Sequence, residues 1–141
     1  MPKSVQQIEQ VQPDPRIEKL KQFFDQYKCP AISYTLINDY LNAADQNNID
    51  YRILPAISIE ESGCGRHSPD GANNFLGWDS GRKRFATLHE SIGFVAQQLG
   101  HGHYYAGKSL IKKLHAYNPN VEYAFKITGL MKEISNDPID K

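Results

Sequence analysis

Apolar residues in this chain recur three and four positions apart, and that spacing constrains the fold more than anything else in the sequence. At about 100° per residue it gathers side chains on one helical face. In "RIEKLKQFFDQY", Arg16 to Tyr27, the apolar positions are Ile17, Leu20, Phe23 and Phe24. A second helical pattern runs from about Ala31 to Ala44, with Ile32, Leu36, Tyr40 and Leu41 in register. Asp50 then reads as the cap of a third helix, "YRILPAISIEES". Pro55 either kinks its first turns or marks a start near Leu54, and Gly63 and Gly65 end it.

The stretch from Arg66 to Gly81 is dense in Gly, Asn, Asp, Ser and Pro and reads as a loop. Overlapping its end, "FLGWDSGRKRF" allows a short β-hairpin turning near Asp79-Ser80-Gly81. Thr87 and Glu90 form a capping box for a helix carrying Leu88, Ile92, Val95, Ala96 and Leu99, which Gly100 should close. "SLIKKLHAY" supplies another short helix. Asn120 caps the last, in which Val121, Phe125, Ile127, Leu130, Met131 and Ile134 are expected to be largely buried. The expectation is a mainly α domain of five or six helices over residues 16–135. Residues 1–15 are expected to form an N-terminal tail and residues 136–141 a loose C-terminal one.

Composition narrows the function. Sixteen basic and sixteen acidic side chains cancel, which argues against a nucleic-acid binder that depends on a phosphate-directed field. No apolar run approaches membrane-spanning length, so no membrane insertion is expected. The segment "MPKSVQQIEQVQPDPR" has no apolar h-region, so it is not read as a signal peptide. Cys29 and Cys64 are either one disulfide or two buried thiols.

The chemistry concentrates at the end of the third helix. Ile53, Leu54 and Ile57 define one face, and Glu61, seven residues after Leu54, falls near its centre. Glu60 lies to the side. A carboxyl on an apolar face is partly desolvated, which favours its neutral form, and an acid still protonated near neutral pH can give a proton to a leaving oxygen. The small Ser-Gly-Cys-Gly turn that follows leaves room for a substrate. The competing reading is that two adjacent glutamates at a helix end are solvated charge.

The loop adds Asn73, Asn74, Phe75 and Trp78, the only tryptophan. Amides suit sugar hydroxyls and acetamido groups, and aromatic faces suit pyranose rings. Their bland alternative is turn formation for the asparagines and core packing for the rings. "HGHYYAG" brings Tyr104 and Tyr105, and "HAYNP" brings Tyr117. His101 and His103 lack a signalled third ligand, so no metal and no organic cofactor is implied.

Taken together, "IDYRILPAISIEESGCGRH", "NNFLGW", "YYAG" and "YNPNVEYAFKI" resemble the lysozyme-like peptidoglycan hydrolases. These comprise endo-β-N-acetylglucosaminidases and the related lytic transglycosylases. The likeness spans roughly Pro30 to Ile134. It implies a lysozyme-like helical domain in which the glutamate before Ser-Gly, here Glu61, is the catalytic acid. Asn73 to Trp78 would line the sugar cleft, Tyr104 or Tyr105 would stand beside it, and Tyr117 would match the later tyrosine. "FLGW" replaces the Gly-Leu-Met-Gln of transglycosylases, which draws the match toward the glucosaminidases. A second carboxylate is not signalled; Asp79 and Glu90 are the available ones. The resemblance further implies a monomer acting on peptidoglycan or a chitin-like GlcNAc polymer, secreted or periplasmic. The rival readings are a non-catalytic cell-wall binding module and a purely structural bundle.

Overall fold

In a computed structural model, which describes residues 12–30 and 32–139, the domain is mainly helical, with six α-helices and no strand among those residues. They are α1 (Pro15–Gln26), α2 (Tyr34–Gln46), α3 (Ile53–Ser62), α4 (Leu88–His101), α5 (Leu110–Tyr117) and α6 (Val121–Ile134). Most of the expected tail, residues 1–11, lies outside the described residues, as do the proposed start of α2 at Ala31 and the last two residues.

α3 is the central helix. Ile53, Leu54, Ala56 and Ile57 are fully buried, and so are Pro55 and Ser58, so the helix is enclosed on more than the one face the spacing suggested. It packs mainly on α6 and more lightly on α2, while α2 packs on α4, and α1 lies against both α2 and α6. α3 begins at Ile53, which places Pro55 in the first turn, where its missing N–H would have had no helical partner. Asp50 acts one turn early: its carboxylate accepts from the Arg52 N–H at 2.9 Å.

Arg52 itself is 2% exposed, among the most buried side chains in the molecule. Its guanidinium grips the Asp50 carboxylate at 2.7 Å and donates to the carbonyls of Ser135 and Asp137 at 2.8 Å and of Pro138 at 3.1 Å. A buried charge needs this many partners to be tolerated. The segment after α6, expected to be loose, is therefore held to the start of α3 through Pro138.

At the other end of α3, Gly63 takes a left-handed conformation (φ 58°) and closes the helix. One residue later Cys64 forms a disulfide with Cys29, with Cα atoms 5.8 Å apart, so the pairing left open by the sequence is made.

Three expectations are corrected. The 75–85 stretch is not a hairpin. Gly77, Asp79, Ser80 and Gly81 all have φ between 54° and 78°, and these left-handed residues coil the chain into a 3-10 turn at Trp78–Gly81 instead of pairing two strands. Gly100 does not end α4, which runs on to His101 with Gly102 as its cap. A Cβ at Gly100 would come within 2.5 Å of the Asn47 carbonyl, so this glycine lets α4 approach the end of α2. Val121 and Phe125 are 70% and 76% exposed, because the buried face of α6 is set by Tyr123, Ala124, Ile127, Met131 and Ile134.

The Thr87 side chain accepts from the Glu90 N–H at 3.1 Å as expected, but the Glu90 carboxylate reaches back to the Ala86 N–H at 3.3 Å rather than to Thr87.

Candidate active site

A cleft of about 620 Å³ opens at the C-terminal end of α3, with Glu61 among its lining. Trp78, Phe94, Tyr105 and Tyr117 give it an aromatic wall, and Asp79 and Lys83 add charge along it. The rings brace one another. Trp78 meets Phe94 edge-on at 5.3 Å between centroids, Tyr117 at 5.7 Å and Tyr105 at 6.1 Å.

The "ESG" triplet builds this end of the helix. The Ser62 hydroxyl donates to the Phe75 carbonyl at 2.7 Å and accepts from the Gly65 N–H at 2.9 Å. It thereby ties the helix end to both the turn after it and the loop opposite. Gly65 lies against the Phe75 ring, where a Cβ would come within 2.4 Å of a ring carbon. Gly77 (φ 70°) lies directly against the Glu61 carboxyl.

Burial holds the Glu61 carboxyl above its ordinary value of 4.5, and the nearby charge of Glu60 adds to this. The Tyr123 hydroxyl works the other way, stabilising the charged form. That hydroxyl is buried and has no partner at full hydrogen-bond geometry, so its influence on Glu61 is one of proximity in a poorly solvated space. Burial and the Glu61 carboxyl together push the phenols of Tyr117 and Tyr123 well above the usual tyrosine range, so both are neutral donors. Tyr117 already donates to the Leu76 carbonyl, and its ring stacks on Tyr123 at 6.1 Å with the planes 8° apart. Tyr123 was not singled out from the sequence; its place two residues inside α6, beside the "YN" turn, gave no sign that it would reach Glu61.

The other sequence candidates divide. Trp78, Asp79, Tyr105 and Tyr117 line the cleft with Glu61. Tyr104 is 70% exposed and absent from that lining, so of the adjacent pair it is Tyr105 that stands at the cleft. Glu60 points to a neighbouring, smaller hollow, where Lys126 pairs with it at 3.5 Å.

Asn73, Asn74 and Phe75 shape the loop rather than face the cleft. The Asn74 amide donates to the carbonyls of Trp78 at 3.0 Å and Lys83 at 2.9 Å, and its oxygen accepts from the Trp78 N–H at 3.0 Å. Both amide hydrogens and one lone pair of the oxygen are thus used inside the loop. Asn73 donates to the carbonyls of Phe85 and Ala86, both at 3.1 Å.

Asp79 is exposed and paired with Arg82 at 2.9 Å, and Glu90 is engaged in its cap. Glu61 is thus the one cleft carboxyl that lacks a cationic partner and is held toward its protonated form. The arrangement can donate a proton to a ligand lying on the aromatic wall. No protein family, no curated protein and no solved structure matches this chain.

Proposed function

We propose that this domain is a lysozyme-like glycoside hydrolase that cleaves β-1,4 bonds of peptidoglycan or a chitin-like GlcNAc polymer. Glu61 is its general acid. One observation carries the reading: a half-buried carboxyl, its proton held more tightly than in water, opens into a cleft walled by aromatic rings. In this mechanism the sugar stacks along Trp78, and Glu61 passes its proton to the glycosidic oxygen as the bond to the anomeric carbon breaks. Tyr117 and Tyr123, kept neutral, flank the carboxylate that remains.

Glycosidases ordinarily use two carboxylates. Here Asp79 is the other cleft carboxyl, and it points to solvent and pairs with Arg82. That favours an attack supplied by the substrate, through its own acetamido oxygen or the 6-hydroxyl of a muramic acid, over a water activated by a second acid. The first route gives a reducing product with retention, and the second the anhydro product of a lytic transglycosylase. The Cys29–Cys64 disulfide supports a secreted or periplasmic setting, because such bonds persist in oxidising compartments. Among the described residues no helix is long and apolar enough to cross a membrane.

Digestion of purified cell walls with wild type and Glu61→Gln, followed by mass spectrometry of the fragments, tests the reading. Release of fragments by wild type alone is expected, and the fragment masses tell reducing from anhydro ends. Equal trace release by both, with both retained on the walls, would favour the binding-module alternative.

A further inference from the structure

Within the cleft, Lys83 is a cation without an anion. Its ammonium stands 5.3 Å from the centroids of both the Phe85 and the Phe94 rings, and among the described residues no acidic side chain pairs with it. The two rings attract the charge by their faces and restrict where it can lie. Its backbone is fixed too, since the Lys83 carbonyl receives the Asn74 amide at 2.9 Å. Asp79, the other charged group beside it on the cleft wall, pairs instead with Arg82 at 2.9 Å. The cleft therefore holds an unpaired ammonium on the same wall as Trp78, the ring on which a sugar would stack, with Phe94 touching both.

We infer that Lys83 is a specificity-determining residue that reads a carboxylate carried by the saccharide. The preferred substrate is then an acidic glycan rather than a neutral one. The inference rests on the proposed saccharide role of the cleft and deepens it. The carboxylate could sit on the sugar itself, as the lactyl ether of muramic acid, or on a peptide attached there. Both offer the same anion to an ammonium, and a neutral GlcNAc chain offers none. An exposed ion pair of this kind shifts affinity by about two- to fivefold, and salt weakens it.

Binding is read by the fluorescence of Trp78, the sole tryptophan, in a Glu61→Gln background so that no ligand is consumed. The ligands are a chitin tetrasaccharide, a peptide-free GlcNAc–MurNAc tetrasaccharide with free lactyl acids, and the same glycan bearing stem peptides. The acidic ligands are expected to bind more tightly than the neutral one. Lys83→Met should erase about two- to fivefold of that preference, Lys83→Arg should keep it, and added salt should diminish it. Loss of preference for the peptide-free glycan assigns the lactyl group; loss confined to the peptide-bearing one assigns the stem. If all ligands bind equally and Lys83→Met alters no ratio, the inference on Lys83 is wrong while the saccharide cleft stands. If none binds, both fall together.

Discussion

Gly77 lies so close to the Glu61 carboxyl that it has no room for even a β-carbon. A Cβ at Gly77 would lie 2.5 Å from Glu61 Oε1 and 3.0 Å from its carboxyl carbon. The glycine is what lets the carboxyl stand in the cleft. Its φ of 70° is in the left-handed region, which costs an L-residue about 1–2 kcal/mol. Gly77→Ala is therefore expected to lose about 1–2 kcal/mol in urea unfolding. It should also lose about 100-fold or more of the cell-wall-degrading rate, because Glu61 is displaced by roughly an ångström. A variant that keeps full rate would mean that the carboxyl does not act from where it stands.

Protonation of Glu61 links activity and stability with opposite consequences for one substitution. Its pKa in the folded state lies above the unfolded 4.5, so the native state binds more protons. Stability falls as pH rises from about 4.5 through the folded value, and the acid form needed for catalysis is lost over the same window. Glu61→Gln should abolish the rate by about 100-fold or more. It should raise Tm at pH 7, with the gain vanishing below pH 4.5. Tyr123→Phe removes the group that favours the charged form, so the alkaline limb of the rate profile should move to higher pH. Its stability should be close to unchanged, since that buried hydroxyl has no bonded partner to abandon. Scanning calorimetry and a pH–rate profile check both halves.

Asn74 distinguishes a loop clamp from a sugar contact. Asn74→Ala removes the partner of the Trp78 N–H and of two carbonyls in a part-buried site, at a cost of about 1–3 kcal/mol. The expected result is a lower Tm together with weaker binding of saccharide to Trp78. An unchanged Tm with binding alone lost would restore Asn74 as a direct ligand.

The disulfide closes 35 residues, from the end of α1 across the whole of α2 to the end of α3. Loop-closure arguments give about 3–4 kcal/mol for a span of that size. Cys29→Ser with Cys64→Ser should lower urea stability by about that much. Intact mass after alkylation, with and without reductant, should show both thiols blocked to reagent until reduced.

Much of this architecture is legible from spacing. Asp14, Ser33, Thr87, Ser109 and Asn120 cap the five helices whose apolar registers are regular, each side chain accepting a backbone N–H. α3 lacks such a cap at its start and is buried almost all round, so its closing Gly63 was legible while its first residue and the full extent of its burial were not. The position of Glu61 followed from helical phase, because phase needs only residue counting. The loop did not follow, because its shape depends on six non-glycine and glycine residues with positive φ near it and on Asn74 bonding two turns at once. Those are tertiary facts with no period. Val121 and Phe125 were misplaced for a related reason: an apolar residue announces hydrophobicity but not which side of a helix finds neighbours.

Arg52 gives the domain an unusual circuitry. The guanidinium at the head of the reactive helix is fastened to carbonyls more than 80 residues downstream, while the helix tail is stitched covalently to the segment after α1. Segments well removed in sequence from Glu61 therefore act as its mooring lines. Trimming the chain back to Ile134 would leave every helix intact on paper, yet it would strip a buried guanidinium of its three carbonyl partners, with Asp50 alone left to hold it, and loosen the head of the helix that carries the proton donor.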